Sequence, residues 1–278
     1  MKVLTSLALA GCCIAPSNAW SQTSQGDLTY YVIEHQRSSE STDGSSSNSS
    51  GTDILLETFR GLEDGKRSFT YDLPRDENGK TRSNFWYFPV DVIEDSLGNR
   101  RLANRQILEA RISEWLAKYN IPRSLCGKYS HGNGFPYRID CDPEVVLEII
   151  DGYVLRDPDV AVGAAYGHPM GEGQGEWKVG TVPGILSAKL PVSAAKLREE
   201  RVENQRVLAE MLEQPFDRDA VVAEMEAIQF SGEIDVTVEF DDVGAIARRT
   251  EHLRYQAVNA DGVREKVSSS VETAAIRD

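Results

Sequence analysis

Residues 233–240 read Glu-Ile-Asp-Val-Thr-Val-Glu-Phe. Ile234, Val236, Val238 and Phe240 alternate with Glu233, Asp235, Thr237 and Glu239, the two-residue period of a strand with one buried face and one wet face. Turn residues Asp241 to Gly244 follow, and a second strand runs through Val258. Asn259 to Gly262 turns the chain again, after which Val263, Val267 and Val271 mark one face of a last strand. The last third therefore predicts an antiparallel three-stranded meander.

Matching strand signals lie at the other end of the chain. Leu28 to His35 is rich in Tyr, Val and Ile. Ile54 to Arg60 and Arg67 to Leu73 are joined across the hairpin signal Glu63-Asp64-Gly65. A fourth strand is expected over Phe85 to Ile93, with Trp86, Phe88, Val90 and Val92 on one side and Pro89 implying an edge or a bulge. Ser38 to Thr52 is almost entirely Ser, Gly, Asn, Asp and Thr, and is expected to be a mobile loop or hairpin tip. Asn48-Ser49-Ser50 within it fits a glycosylation acceptor by pattern alone.

The middle turns helical. Ile107, Leu108, Ile112, Trp115, Leu116 and Tyr119 recur at three- and four-residue spacing, predicting an amphipathic helix. Asp142-Pro143-Glu144 offers an N-cap, a first-turn proline and a dipole-matched acid for a second helix. Ala161 to Gly175 is Gly-rich and reads as unstructured, with His168 at its surface. A strand near Ile185 to Leu190 precedes a charged helix capped by Ser193 and a shorter one capped by Asp217. Strands at both ends and helices between them predict an α+β fold: an antiparallel β-sheet built from N-terminal and C-terminal strand sets, covered by helices from the central region. Residues 27–278 are expected to form a single domain, the alternative being two subdomains that meet near 160–180.

Residues 1–19 read as a signal peptide. Lys2 precedes a short apolar core, and Ser17-Asn18-Ala19 ends in a small-x-small site. Residues 20–26 would then be a flexible N-terminal segment. Leu9-Ala10-Gly11-Cys12 also resembles the lipobox of bacterial lipoproteins, which would make Cys12 the lipidation site and the protein a lipid-anchored outer-membrane lipoprotein. Either way the chain is expected outside the cytoplasm, in the periplasm on the first reading. Export leaves Cys126 and Cys141 as an even pair for a disulfide, which would contribute about 3 kcal/mol through loop closure.

The chain has 278 residues, a hydrophobic fraction of 40% and a formal charge of −14. That balance speaks against nucleic acid, whose phosphates need clustered Lys and Arg. No apolar run after the leader is long enough for a transmembrane helix. The four His (His35, His131, His168, His252) show no metal spacing, and no serine-hydrolase elbow is present, so no metal or cofactor is expected. His35 and His252 fall on strands as exposed polar residues. Gly171-Glu172-Gly173-Gln174-Gly175 lacks the Lys and flanking elements of a phosphate loop, and Asp76-Glu77-Asn78-Gly79 lacks the ligand ladder of a calcium loop.

The stretch between the two half-cystines holds Tyr129, His131, Asn133, Phe135, Tyr137 and Arg138, a concentration of aromatic and polar groups in one stapled loop. The leading functional expectation is a non-enzymatic envelope protein that binds an apolar ligand or a protein partner. Trp86, Phe88, Trp115, His131, Tyr137 and Arg138 are the candidate contacts. The layout resembles the lipoprotein-carrier half-barrels of bacterial periplasm, which implies a cavity between sheet and helices. The alternatives are a hydrolase using His131 with Asp140 or Asp142, and a structural or assembly component of the envelope.

Overall fold

The alternating stretch at 233–240 lies in the first of three long C-terminal hairpin-linked strands, and those strands join the N-terminal set edge to edge. The computed structural model describes residues 24–75, 86–132, 135–156 and 160–277, without the side chains of 63, 131, 132, 135 and 136. The leader at 1–19, Cys12, Asn133 and the acidic turn at 76–79 lie outside the described residues. In chain order the elements are β1 (Leu28–Ser41), β2 (Ser46–Glu63), β3 (Lys66–Asp72), β4 (Val90–Glu94), β5 (Arg100–Leu102), α1 (Arg105–Lys118), β6 (Tyr129–Gly132) and β7 (Phe135–Arg138). There follow α2 (Val145–Tyr153), β8 (Ala165–Tyr166), β9 (Gly175–Glu176), β10 (Lys178–Val179), β11 (Ile185–Pro191), α3 (Ala194–Met211), α4 (Arg218–Glu226), β12 (Gln229–Phe240), β13 (Ile246–Val258) and β14 (Arg264–Arg277).

Ten strands form one antiparallel sheet in the order β10-β11-β12-β13-β14-β1-β2-β3-β4-β5. The seam between the two strand sets is β1 against β14, in register from Thr29 with Arg277 to Ser41 with Glu265. The fold is α+β, as the sequence pattern predicts. Following the register across the strands shows that the alternation is coherent from edge to edge. Ala188, Val236, Glu251, Val271, His35 and Gly51 form one cross-sheet row. Residues paired across strands point to the same face, so these six and their i±2 neighbours define a single inner face.

Two apolar clusters cover that face. Over the N-terminal strands, Tyr31, Leu55, Phe69, Tyr71, Val90 and Val92 pack against Leu108, Ile112, Trp115 and Leu116 of α1 and Val146 and Ile150 of α2. Over the C-terminal strands, Ile234, Val236, Val238 and Leu190 pack against Leu197 of α3 and against Tyr166 and Trp177. A smaller cluster of Val202, Met225, Ile228 and Ala257 seats α4 beside α3. The outer face is polar over its C-terminal half, where Lys189–Asp235, Arg254–Glu233 and Arg248–Glu272 pair across strands.

Several expectations change. The Ser-rich stretch holds the hairpin tip, as one of its two readings has it, but the tip is confined to 42–45 and the rest is strand, because β1 continues to Ser41 and β2 begins at Ser46. Its ladder bonds come from neighbouring strands on both sides of β1, so main-chain pairing replaces the side-chain burial this composition lacks; Ser39 and Ser47 add a hydroxyl bond of 2.9 Å. The fourth strand starts at Val90, not at Phe85, since Pro89 has no N–H to give a ladder. The 161–175 segment holds the small β8–β9 pair and delivers Tyr166 to the core, its order supplied by Trp177 behind it. On α1, Ile107 and Tyr119 face water, and Leu108, Ile112, Trp115 and Leu116 alone form the buried stripe.

The hairpin, cap and staple signals give the expected local structure. Asp64 and Gly65 both have positive φ, the two-residue geometry that matches strand twist between β2 and β3. The Ser193 side chain accepts from the Lys196 N–H, and the Asp217 side chain from the Ala220 N–H. Cys126 and Cys141 form a disulfide that ties the loop after α1 to the start of α2.

Candidate functional site

The cover over the inner face has a gap. In the row Ala188–Val236–Glu251–Val271–His35–Gly51, the first two residues are buried, yet Val271 is 36% exposed and His35 is exposed. Arg37 and Asp53, inner-face neighbours of His35 on β1 and β2, are exposed as well. One row earlier Thr273 is sealed while its row-mate Asp53 is open, and one row further back Tyr31 and Leu55 are both sealed. The seal there is the segment after α2, where Leu155 packs against both large clusters. Beyond that crossing, toward the β1–β2 tip, the floor is open.

Its walls are defined by contacts. On one side is the end of α2, where burial and the nearby Asp53 carboxylate push the Tyr153 phenol up to about 12. On the other is His168, whose Nε2 lies 3.1 Å from Glu251 while its Nδ1 accepts from the Met170 N–H. That acceptor role fixes the proton of the neutral ring on Nε2, facing the carboxylate. Burial works to raise the Glu251 carboxyl, but the bonds from His168 and Arg249 outweigh it and hold the group below its ordinary value. His168 is therefore a positioned, largely buried residue and not a surface one.

Helix α3 spans the gap. It starts on the C-terminal cluster through Leu197 and ends at the β6–β7 hairpin, where Glu210 accepts from the Tyr129 N–H and Arg206 lies over the Tyr129 ring. Midway, Arg201 bonds Glu265 of β14 and so ties the helix to the sheet. Nearer the β1–β2 tip, beside α3, lies a hollow of about 490 Å³, whose lining does not include Val271, His35, Arg37 or Asp53. Ser39, Ser41, Arg201, Gln205, Glu265 and Ile228 are among the residues lining it. The floor has a tight point of its own: a Cβ on Gly51 would lie 2.5 Å from His35 Cε1, so the imidazole rests directly on that glycine.

Behind the trough, under the crossing segment, lies a buried charge cluster. Glu57 and Glu94 are 5% and 2% exposed. Arg156, just past α2, bonds both of them, while Glu94 also takes Arg67 and Arg100. The Tyr71 hydroxyl donates to Glu57 at 2.7 Å. Burial first, and the Glu57 charge second, raise Tyr31 to about 12 and move Tyr71 well above its usual range. Burial alone would lower Arg156, but the charge of Glu57 and the two tyrosines hold it above its ordinary value. Glu57 follows Leu55 by two residues and Glu94 follows Val92 by two, so the strand period itself turns both acids to the inner face. The return of Arg156 from a distant segment, which no local signal announces, supplies their shared partner.

The residues singled out from the sequence divide between places. Trp86 and Trp115 belong to the N-terminal apolar cluster, with Phe88 packed against it. The Trp86 indole donates to the Asp140 carbonyl at 3.0 Å. Tyr137 packs on the same cluster, and Arg138 reaches Asp140 at 3.3 Å. His131 sits on β6 opposite Pro136, with its side chain outside the description. Burial raises the Asp140 carboxyl, while Asp142 is exposed near Arg105. A second hollow of about 490 Å³ lies beside the disulfide, lined by Arg105, Glu109, Arg123 and Asp142 among others. Neither hollow is lined by Trp86, Phe88 or Trp115. Among the described residues no group of three or more His, Cys, Asp and Glu is placed to hold a metal ion, and no helix is long and apolar enough to cross a membrane.

No protein-family model and no curated protein matches the chain. Among solved structures, a lipovitellin described for its lipid–protein interactions aligns over 91% of this chain and 25% of its own, with 8% identity and a TM-score of 0.37. The chain thus spans a quarter of the length of that neighbour. The attachment invasion locus protein Ail of Yersinia pestis aligns over 91% and 100%, with 4% identity and a TM-score of 0.17. A DUF1329 family protein from Desulfovibrio piger aligns over 88% and 84%, with 9% identity and a TM-score of 0.14. Likenesses this slight carry no argument about ligand or activity.

Proposed function

We propose that this is an exported, non-enzymatic binding protein of the cell envelope, and that it holds a ligand with an apolar part in the trough between α3 and the inner face. The observation that supports this reading is the interrupted cover. Inward positions on a sheet with one sealed face are normally buried, yet Val271, His35, Arg37 and Asp53 are open while Tyr31, Leu55 and Thr273 toward the crossing segment are closed. Ile33, Tyr153 and Val271 offer apolar surface at the inner end, and His35, Arg37, Asp53 and the serines of β1 offer polar surface toward the mouth. A ligand with an apolar body and a polar end fits such a gradient. The disulfide fits an oxidising compartment, which agrees with the leader read at residues 1–19.

Native mass spectrometry of protein purified from its host, together with binding of a hydrophobic dye, tests the proposal. A co-purified lipid-sized adduct, and dye binding that falls when Val271→Trp fills the floor, are the expected results. Protein that carries no adduct and binds no dye would rule the reading out. A protein partner is the second reading, favoured by a separate surface on the opposite side of the sheet.

A further inference from the structure

The outer face breaks its polar pattern at one place. Tyr30 and Val32 on β1, Ile54 and Leu56 on β2, and Ala274 and Ile276 on β14 stand in register as two rows, Ile276–Tyr30–Leu56 and Ala274–Val32–Ile54. Their inner-face neighbours Tyr31, Leu55 and Ala275 are apolar too, so these strands are apolar on both sides for three or four residues running. Such runs are the composition of strands covered on both faces. Every helix that packs on this sheet does so on the inner face, and Ile276 is 53% exposed on the outer one.

The border of the grid is acidic. Glu34 and Glu272 follow Val32 and Ala274 on the same face, and Asp72 lies beside Leu56 in register. Two cations border it as well: Arg248, beside Ala274, is shared between Glu272 at 3.1 Å and Glu239 at 3.8 Å, and Arg75 lies 3.7 Å from Asp72, which leaves Glu34 as the acid with no ion pair among the described residues. Three strands about 4.8 Å apart, each giving two outward side chains, make a patch on the order of 200 Å². A stable pair of subunits needs about 800 Å² from each partner, several times what the grid supplies. A second copy would also bring the same acidic border and a formal charge of −14 against its like.

We propose that this grid docks a short amphipathic segment of a partner protein, one that presents lysines or arginines beside apolar side chains. The apolar grid supplies the contact, and the acidic border selects a cationic partner and rejects an anionic one.

The test uses the full chain and a labelled peptide alternating leucine and lysine, with a leucine–glutamate peptide as its opposite. Fluorescence anisotropy reads binding, and light scattering reads the oligomeric state. The lysine peptide is expected to bind a monomer and to weaken as salt rises. Val32→Lys is expected to weaken it by about tenfold or more, and the uncharged Val32→Thr by a few-fold, as loss of one buried apolar side chain requires. Ser268→Lys, which adds the same charge to the same face away from the grid, should leave binding within about twofold. Circular dichroism confirms folding, and Val32→Thr decides the matter if Val32→Lys does not fold. Equal loss in Ser268→Lys, equal binding of the glutamate peptide, or a dimer that Val32→Lys dissociates would each overturn the proposal.

Discussion

Replacing Arg156 by methionine removes the only described residue that bonds both buried carboxylates. Its Nη1 donates to Glu94 at 3.0 Å, its Nη2 to Glu57, and its guanidinium carbon lies 4.4 Å from the centre of the Phe69 ring. After the change Glu94 still has Arg67 and Arg100, so it stays paired. Glu57 keeps the Tyr71 hydroxyl at 2.7 Å and the Tyr31 hydroxyl at 3.5 Å and still feels the charge of Arg67, but it loses its ion pair with Arg156. A buried carboxylate that loses its cation costs about 3–5 kcal/mol of stability, and the methionine recovers part of the packing on Phe69. The expected loss at pH 7 is therefore about 3 kcal/mol.

Adding Glu57→Gln to the same chain should restore about half the loss, because an amide leaves no charge behind. Urea unfolding of the parent and the two variants at pH 7 measures both effects through the midpoints at constant slope. A loss below about 1 kcal/mol would refute the reasoning, since it would place the cluster among solvent-screened surface pairs.

Three further outcomes follow from other parts of the molecule. Replacing Cys126 and Cys141 by serine should lower stability by up to about 3 kcal/mol, read as a fall in the thermal midpoint that reducing agent reproduces in the parent chain. Gly232→Ala should cost more than Gly51→Ala. The new Cβ would stand 2.2 Å from the Arg254 carbonyl oxygen in the first case, where backbone must give, by about 1–3 kcal/mol, but against the free-ended His35 ring in the second. Tyr31, Tyr87 and Tyr153 are each held near 12, above the ordinary phenol value of 10. Their contribution is complete below pH 10 and is lost as pH rises through 12, so unfolding and tyrosinate absorbance should advance together across that window. Tyrosinate that forms well before the fold is lost would contradict it.

Alternation made the sheet readable. Ile234 to Phe240 and Phe69 to Leu73 carry a two-residue period because one face of each strand is sealed, and the register shows that every such period points the same way. Caps were readable for a related reason: Ser193 and Asp217 act on their own next turn, so the signal and its target are adjacent. The Ser-rich hairpin was not readable, because its order comes from pairing with β14, whose partner residues lie more than two hundred positions away in sequence. Trp86 and Trp115 were legible as large apolar groups but not as members of a closed cluster, since packing is decided by what arrives from α2 and Ile139. The trough had no sequence signal at all. It exists where two covers stop short of each other, and His35 and Val271 look the same in the sequence whether or not something lies above them.

The seam between β1 and β14 has a consequence for assembly in time. It joins the first described strand to the last, and it lies at the centre of the sheet, not at an edge. Until β14 is delivered, β1 and β13 both present a bare row of main-chain donors and acceptors, and neither half of the sheet can close on the other. Pairings of such long sequence span form slowly, and their waiting edges invite mispairing. The two halves of the sheet thus stay apart, by their own topology, until β14 is in place.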